Sequence, residues 1–295
     1  MKIGIVTWNS GERHKLFMEQ AHPEMETTIV ADSASDEEKI EACRDVEAII
    51  MVAASISVDV LKCCPEVKLL QGIGAGFDKV DVKAINALGI PYANNGGSNA
   101  IPVAEFTLSL ITGIARGVFR GVQNAKEGNW NSGLRETPSW EITGKCIGII
   151  GMGAIGQRVA KMLVGYDCDT VYYKRHRLSS GLEHKLHARY LPLNELLQIS
   201  DVVTMHNSLN NSTIGMIGRE QLAMMKPSSF LINTTRGACI DQQALYESLI
   251  DGRIAGAGLD APQGQHHAPG RGTQVSPQGK GPCHAEAGRD LAAGN

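Results

Sequence analysis

The residues Gly151-Met152-Gly153-Ala154-Ile155-Gly156 follow an apolar run, Cys146–Ile150, and open a helical pattern, Ala154–Leu163. Three glycines at that spacing, between a strand and a helix, suit a pyrophosphate. Gly151 permits a tight turn, Gly153 lets backbone approach the phosphates, and Gly156 allows the helix to pack close to the strand. The amides of Ala154, Ile155 and Gly156 then stand at a helix N-terminus, where free N–H groups and partial positive charge favour an anion. If ribose hydroxyls alone were to be held, an acid would be expected about 20 residues further on, at the end of the next strand. That strand, Thr170–Lys174, instead ends Tyr172-Tyr173-Lys174-Arg175-His176-Arg177, with Lys174 in the acid's place, and Asp167 and Asp169 come too early. Such a cluster attracts the 2′-phosphate that an acid would repel. The sequence therefore favours NADP(H) over NAD(H), with a solvated basic turn as the alternative.

The surrounding elements read as two α/β series. From Met1 to about Asn95, short apolar strands (Lys2–Thr7, Thr27–Ala31, Glu47–Val52, Lys68–Gly72 and Ile90–Ala93) alternate with helical stretches, one of them opened by a capping box with Ser35 as N-cap. Brief, nearly all-apolar strands of this kind suit parallel sheets covered on both faces. Pro102 sits in a first helical turn, and Val103–Lys126 reads as one long helix interrupted only by glycines. A second series carries strands at Cys146–Ile150, Thr170–Lys174, Asp201–Met205, Phe230–Asn233 and Ala255–Asp260. Residues 261–295 differ in kind: Gly- and Pro-rich, without aromatics, and with Val275 and Leu291 as their only large aliphatics, they are expected to be disordered.

Composition narrows the function classes. With 295 residues and 43% hydrophobic content, most of the chain can build a core, which excludes disorder as its general state. A net charge of −3 gives no electrostatic footprint for nucleic acid or an acidic membrane surface. The 33 glycines suit many strand–helix turns. Met1–Thr7 reads as a strand, not a secretory signal, and no apolar run is long enough to span a membrane. The seven cysteines have no zinc or CxxC spacing, so no metal site is expected, and scattered thiols suit a cytoplasmic location.

Four segments carry a family resemblance: Gly72-Ile73-Gly74-Ala75-Gly76-Phe77-Asp78-Lys79-Val80-Asp81, Glu141-Ile142-Thr143-Gly144-Lys145, Leu222–Lys226, and Leu231-Ile232-Asn233-Thr234-Thr235-Arg236-Gly237. Together they make residues 1–260 resemble the D-isomer-specific 2-hydroxyacid dehydrogenases, and the basic stretch after Tyr173 is similar to the glyoxylate and hydroxypyruvate reductase branch. The resemblance implies two doubly wound parallel sheets: a flavodoxin-like substrate domain over 1–101 and a Rossmann NAD(P)-binding domain over 102–260 that includes the linking helix. It implies reversible hydride transfer between NADP or NAD and a small 2-keto or 2-hydroxy acid. Arg236 matches the family arginine that binds carboxylate and keto oxygen, and the backbone N–H groups of Ala75 and Gly76 are expected to face the substrate carboxylate. Asp260 matches the aspartate at the nicotinamide amide, with Thr234 and Thr235 in the loop beside the cofactor. A homodimer through the long helix is implied too. The loop Ala53–Val58 contains no Lys or Arg, which suits an unphosphorylated acid such as glyoxylate or hydroxypyruvate.

Two family residues have no match. By count Gln265 falls at the position of the glutamate that supports the general-acid histidine, and an uncharged amide cannot stabilise an imidazolium as a carboxylate does. His266, His267 and His284 lie in the atypical tail without the strand and proline that precede the family's acid, and His206 reads as structural. The tail is expected to be out-of-frame or truncated sequence. Impaired hydride transfer follows from that expectation, and a catalytically inactive nucleotide-binding protein is the competing reading.

Overall fold

A computed structural model describes residues 1–8, 22–129 and 139–260, together with the backbone of 272–275 and 283–285. The chain divides into two compact units, Met1–Asn99 and Ala100–Asn295.

In the first unit, strands β1 (Lys2–Thr7), β2 (Glu26–Ala31), β3 (Ala48–Val52), β4 (Leu69–Gly72) and β5 (Tyr92–Asn94) form one parallel sheet in the order β2-β1-β3-β4-β5. Helices α1 (Asp36–Cys43), α2 (Val58–Lys62) and α3 (Val82–Ala87) connect them. Each helix begins at a side-chain cap. The amide of Glu38 donates to Ser35 Oγ while the amide of Ser35 donates to Glu38 Oε2, completing the expected box. Ser57 and Asp81 cap α2 and α3 in the same way. Val6, Ile49, Leu61, Leu70 and Ile85 fill the core beneath the helices.

The second unit opens with α4 (Ala100–Ala115) and α5 (Val118–Lys126). The single long helix expected over Val103–Lys126 is thus two helices bent by 68°. The break falls at Gly117, whose φ of 64° lies in the left-handed region that a helix interior cannot contain. Glycine there ends one helix; glycine at position 113 has another use, because a Cβ would lie 2.6 Å from the Phe119 ring of α5. No single described helix is long and apolar enough to cross a membrane.

Strands β6 (Cys146–Ile150), β7 (Asp169–Tyr173), β8 (Ala188–Tyr190), β9 (Val202–Met205), β10 (Phe230–Asn233) and β11 (Gly256–Leu259) follow. They alternate with α6 (Ala154–Leu163), α7 (Ser180–Leu186), α8 (Leu193–Ile199), α9 (Arg219–Met224) and α10 (Gln242–Ile250). The six strands are parallel, in the order β8-β7-β6-β9-β10-β11. Strand direction of winding reverses between β6 and β9, which opens a crevice at their C-terminal ends. The segment expected to be disordered holds β12 (Gly272–Val275), antiparallel to β11, and β13 (Cys283–Ala285) beside it. Its other residues lie outside the described ones. Beneath the crevice, Ile147, Ile149, Ile150, Val203 and Leu231 are fully buried, each contributing about 1.5–3 kcal/mol of apolar burial.

Candidate functional site

Three glycines shape the turn between β6 and α6, each for a different steric reason. Gly151 has φ 96°, and a Cβ there would run into the backbone of His206 and Asn207 at the end of β9. A Cβ on Gly156 would strike the carbonyl oxygen of Gly151, so helix and turn can be this close only without it. A Cβ on Gly153 would meet nothing within 4 Å, so that face of the turn is open to an approaching group. Gly153 is also the N-cap of α6 and makes no side-chain capping bond, leaving the first helical amides, Ala154, Ile155 and Gly156, unpartnered by a cap. The cradle fits a pyrophosphate: open where phosphate would approach, closed elsewhere, and lined with donors.

The basic cluster follows at the end of β7. Arg177 is committed to the protein: its Nε and Nη2 donate to Glu183 at 2.9 and 2.8 Å, and its guanidinium lies over the Tyr190 ring at 5.7 Å. The Tyr172 hydroxyl donates to the same carboxylate at 2.6 Å and accepts from the Leu178 amide at 2.9 Å. Hydrogen bonds from Arg177, then from Tyr172, hold the Glu183 carboxyl at about 2. Lys174 and Arg175 are placed differently. Among the described residues neither forms an ion pair, and Arg175 donates only to Ser212 Oγ at 3.2 Å. Two cations therefore remain available at the strand end where a ribose 2′-substituent would lie.

Next to the glycine turn, β9 ends in His206 and Asn207. Burial alone pushes the His206 imidazole down to about 3, so the ring is neutral. Its Nε2 bonds Thr204 Oγ1 at 3.0 Å, and its buried Nδ1 has no partner among the described residues. An Nε2–H tautomer suits this, since a bare acceptor is the less costly atom to bury. The expected structural role of His206 agrees with that setting. Asn207 Nδ2 donates to Cys239 Sγ at 3.3 Å, tying the β9 end to the loop after β10.

That loop carries Thr234, Thr235 and Arg236. Thr234 is nearly buried and shares a 3.1 Å hydroxyl–hydroxyl bond with Thr107 of α4. Arg236 is exposed, with Nη1 donating back to the Thr235 carbonyl at 3.1 Å. Asp260 is exposed just beyond β11, its amide donating to the Asn233 carbonyl at 3.0 Å. The parallel sheet thus brings the glycine turn, Lys174, Arg175, Thr234, Thr235, Arg236 and Asp260 to the C-terminal ends of its strands. Sequence reading passed over Asn233, whose buried side chain holds this loop; an amide between an apolar strand and Thr-Thr-Arg was the available signal.

In the first unit, the segment after β4 loops through Gly74, Ala75 and Gly76. The Asn94 amide donates to the Ala75 carbonyl at 2.8 Å and the Asn95 N–H to Gly74 O at 3.3 Å, turning carbonyls inward. Among the described residues the Ala75 and Gly76 amides have no protein acceptor. Two unpaired donors on one loop can take a carboxylate. Gln265, His266 and His267 lie outside the described residues, as does the side chain of His284. No group of three or more His, Cys, Asp or Glu among the described residues could hold a metal ion.

Comparison with known proteins agrees with this geometry. Residues 108–273 match the model of the D-isomer specific 2-hydroxyacid dehydrogenase, NAD binding domain. The chain is 35% identical over 230 residues to a glyoxylate reductase of Pyrococcus furiosus, covering 76% of this chain and 68% of that protein. It is 31% identical over 236 residues to a hydroxypyruvate reductase of Thermotoga maritima, covering 80% and 75%. Among solved structures, an acyclic imino acid reductase in complex with NADPH and D-Arg superposes with a TM-score of 0.76 at 27% identity, over 91% of this chain and 85% of that one. A phosphate cradle at the switch point of a doubly wound sheet, matched over more than half the chain, identifies the protein as a member of the D-isomer-specific 2-hydroxyacid dehydrogenase family and, by that resemblance, an NAD(P)-dependent oxidoreductase.

Proposed function

We propose that this chain transfers hydride between NADP(H) and a small unphosphorylated 2-keto or 2-hydroxy acid such as glyoxylate or hydroxypyruvate. The observation that supports it most is the shared sheet edge: an open, donor-lined glycine turn and Arg236 stand at the C-terminal ends of one parallel sheet. The amides of Ala154, Ile155 and Gly156 would hold the pyrophosphate, with Gly151 and Gly153 shaping the approach. Lys174 and Arg175 would take the 2′-phosphate, Arg177 being committed to Glu183. Thr234, Thr235 and Asp260 would line the nicotinamide end. Once bound, the cofactor supplies the hydride. Arg236 would grip carboxylate and keto oxygen with its planar fork; in the first unit, the Ala75 and Gly76 amides are donors suited to a carboxylate. In this reading residues 1–101 form the substrate domain and 102–260 the cofactor domain.

The preference for an unphosphorylated acid rests on the loop after β3. Its Ser55 amide donates to Asp32 Oδ1 at 2.8 Å, and the loop Ala53–Val58 contains no Lys or Arg to meet a phosphate. Among the described residues the cysteines are free thiols, which suits a reducing, cytoplasmic setting. Val118 and Val122 leave α5 with an apolar strip, 52% and 51% exposed, which supports a homodimer through this helix. Sedimentation velocity tests that directly: a concentration-independent monomer excludes it.

Gln265 favours a second reading. With an amide at the supporting glutamate's position and no match to the general-acid histidine, turnover should be slower by roughly 10²–10⁴, the usual worth of positioned proton transfer. In the limit the chain is a catalytically inactive nucleotide-binding protein. Two measurements separate the readings: NADPH titration by fluorescence, and NADPH consumption with glyoxylate. Binding with turnover supports the dehydrogenase, and binding without turnover supports the inactive form. The cofactor preference has its own check. Lys174→Ala with Arg175→Ala should weaken NADPH at least tenfold and leave NADH nearly unchanged; equal losses for both cofactors would remove the case for NADP.

A further inference from the structure

Asn233 closes β10 at 2% exposure, and all of its side-chain polar atoms are turned onto the residues that follow it. Its Oδ1 accepts from the Thr235 amide at 2.9 Å and from the Thr235 hydroxyl at 2.7 Å. Its Nδ2 donates to the Arg236 carbonyl at 3.0 Å. The peptide before Thr235 and the peptide after Arg236 are therefore both held by one buried amide, with the Thr235–Arg236 peptide between them. The Thr235 carbonyl, which lies between those two held peptides, in turn receives Arg236 Nη1 at 3.1 Å. Between them, Thr234 is fixed by Thr107, whose hydroxyl also donates to the Val103 carbonyl at 2.8 Å.

Burying an amide is costly unless its hydrogen bonds are all made, and an apolar residue would fill this space more cheaply. The local use of the amide explains its presence: it replaces strand pairing that ends at β10 and gives the exposed loop one conformation. That matters for an arginine, because a long side chain gains a reproducible direction only when its backbone and at least one guanidinium nitrogen are fixed. We propose that Asn233 is a positioning residue that aims the Arg236 guanidinium at the substrate carboxylate. The proposal rests on the reading of Arg236 given above. Misplacement by about 1 Å of a group that must meet its partner in a fixed geometry costs roughly 10²-fold, so the loss should appear in acid binding and not in cofactor binding.

The test uses the full chain saturated with NADPH and oxalate as a two-carbon probe of the acid site, followed by the change in nucleotide fluorescence. Asn233→Ala is expected to weaken oxalate at least tenfold while the NADPH dissociation constant stays within about twofold. Asn233→Asp supplies an independent reading. It keeps acceptors for Thr235 but sets a carboxylate against the Arg236 carbonyl, so it should bind oxalate poorly at neutral pH. Lowering the pH should restore affinity relative to wild type as the buried carboxyl gains a proton to donate. Unchanged oxalate affinity in folded Asn233→Ala, or a parallel loss of NADPH and oxalate, overturns the proposal. Should Asn233→Ala not fold, an Asn233→Asp affinity without pH-dependent recovery overturns it instead. If folded wild-type protein binds no NADPH, the dehydrogenase reading fails on its own account. If it binds NADPH but not oxalate, the role of Arg236 fails and that of Asn233 with it.

Discussion

Individual side chains here are interpretable because each has a geometric partner to be tested against. Arg236→Lys keeps the charge but loses the fork, so the KM for glyoxylate should rise tenfold or more with NADPH affinity unchanged. An unchanged KM would mean that the guanidinium does not meet the acid. His206 makes a prediction about pH. Its folded pKa lies at about 3, below the ordinary 6.5, because burial disfavours the charged ring. As pH falls below 6.5 the unfolded chain binds the proton and the folded one does not, so stability drops by up to about 1.4 kcal/mol per pH unit until about pH 3. His206→Gln, which can still bond Thr204, should flatten that limb in urea titrations between pH 6.5 and 4. The same slope in variant and wild type would place the acid sensitivity elsewhere.

Among the elements, the break between α4 and α5 and the turn after β7 have opposite chemistry. In a continuous helix Gly117→Ala would stabilise by about 1 kcal/mol. With Gly117 at φ 64° it should instead destabilise by about that amount, lowering the urea midpoint. The turn from β7 to α7 depends on charge. Glu183 is held at about 2, against an ordinary 4.5, by Arg177 and then Tyr172. A carboxyl depressed in this way contributes stability above pH 4.5 and loses it as pH falls toward 2. Glu183→Gln should remove that contribution and speed hydrogen exchange at the Leu178 amide, which donates to the Tyr172 hydroxyl. Protection of Leu178 in the variant equal to wild type would mean the ion pair does not hold the turn. Legibility followed the same division. Strands β6 and β10 and helix α6 could be read with their bounds because β6 is an apolar run, β10 is one closed by Asn233, and α6 opens on a glycine signature. Strand β8, only Ala188–Tyr190, escaped: three residues with an arginine at the centre have no period to detect.

For the whole molecule, cofactor binding and folding are linked. At a hundredfold excess over its dissociation constant, NADPH should stabilise the folded chain by about 2.7 kcal/mol. For a unit of this size that raises the melting temperature by roughly 5–10 °C. NADH at the same concentration should give a smaller shift, because Lys174 and Arg175 would have no phosphate to meet. Identical shifts would argue against their role. A shift of zero with both, in protein that melts cooperatively, would leave the glycine cradle without a ligand.

Local chemistry was decided along the chain itself. The glycine spacing, the basic strand end after Tyr173 and the Thr-Thr-Arg-Gly loop are short segments whose residue types allow few alternatives, so they could be read without coordinates. Sterics between distant segments could not. That a Cβ on Gly151 would strike Asn207, that Arg177 belongs to Glu183 while Lys174 and Arg175 stay available, and that Asn233 holds the arginine loop all depend on which strands lie side by side. Strand order is set by packing among many apolar residues that look alike in sequence, and hydrogen-bond partners follow from it. Only the tertiary structure therefore distinguished the basic residues of one hexapeptide and turned an unremarked asparagine into the anchor of the Arg236 loop.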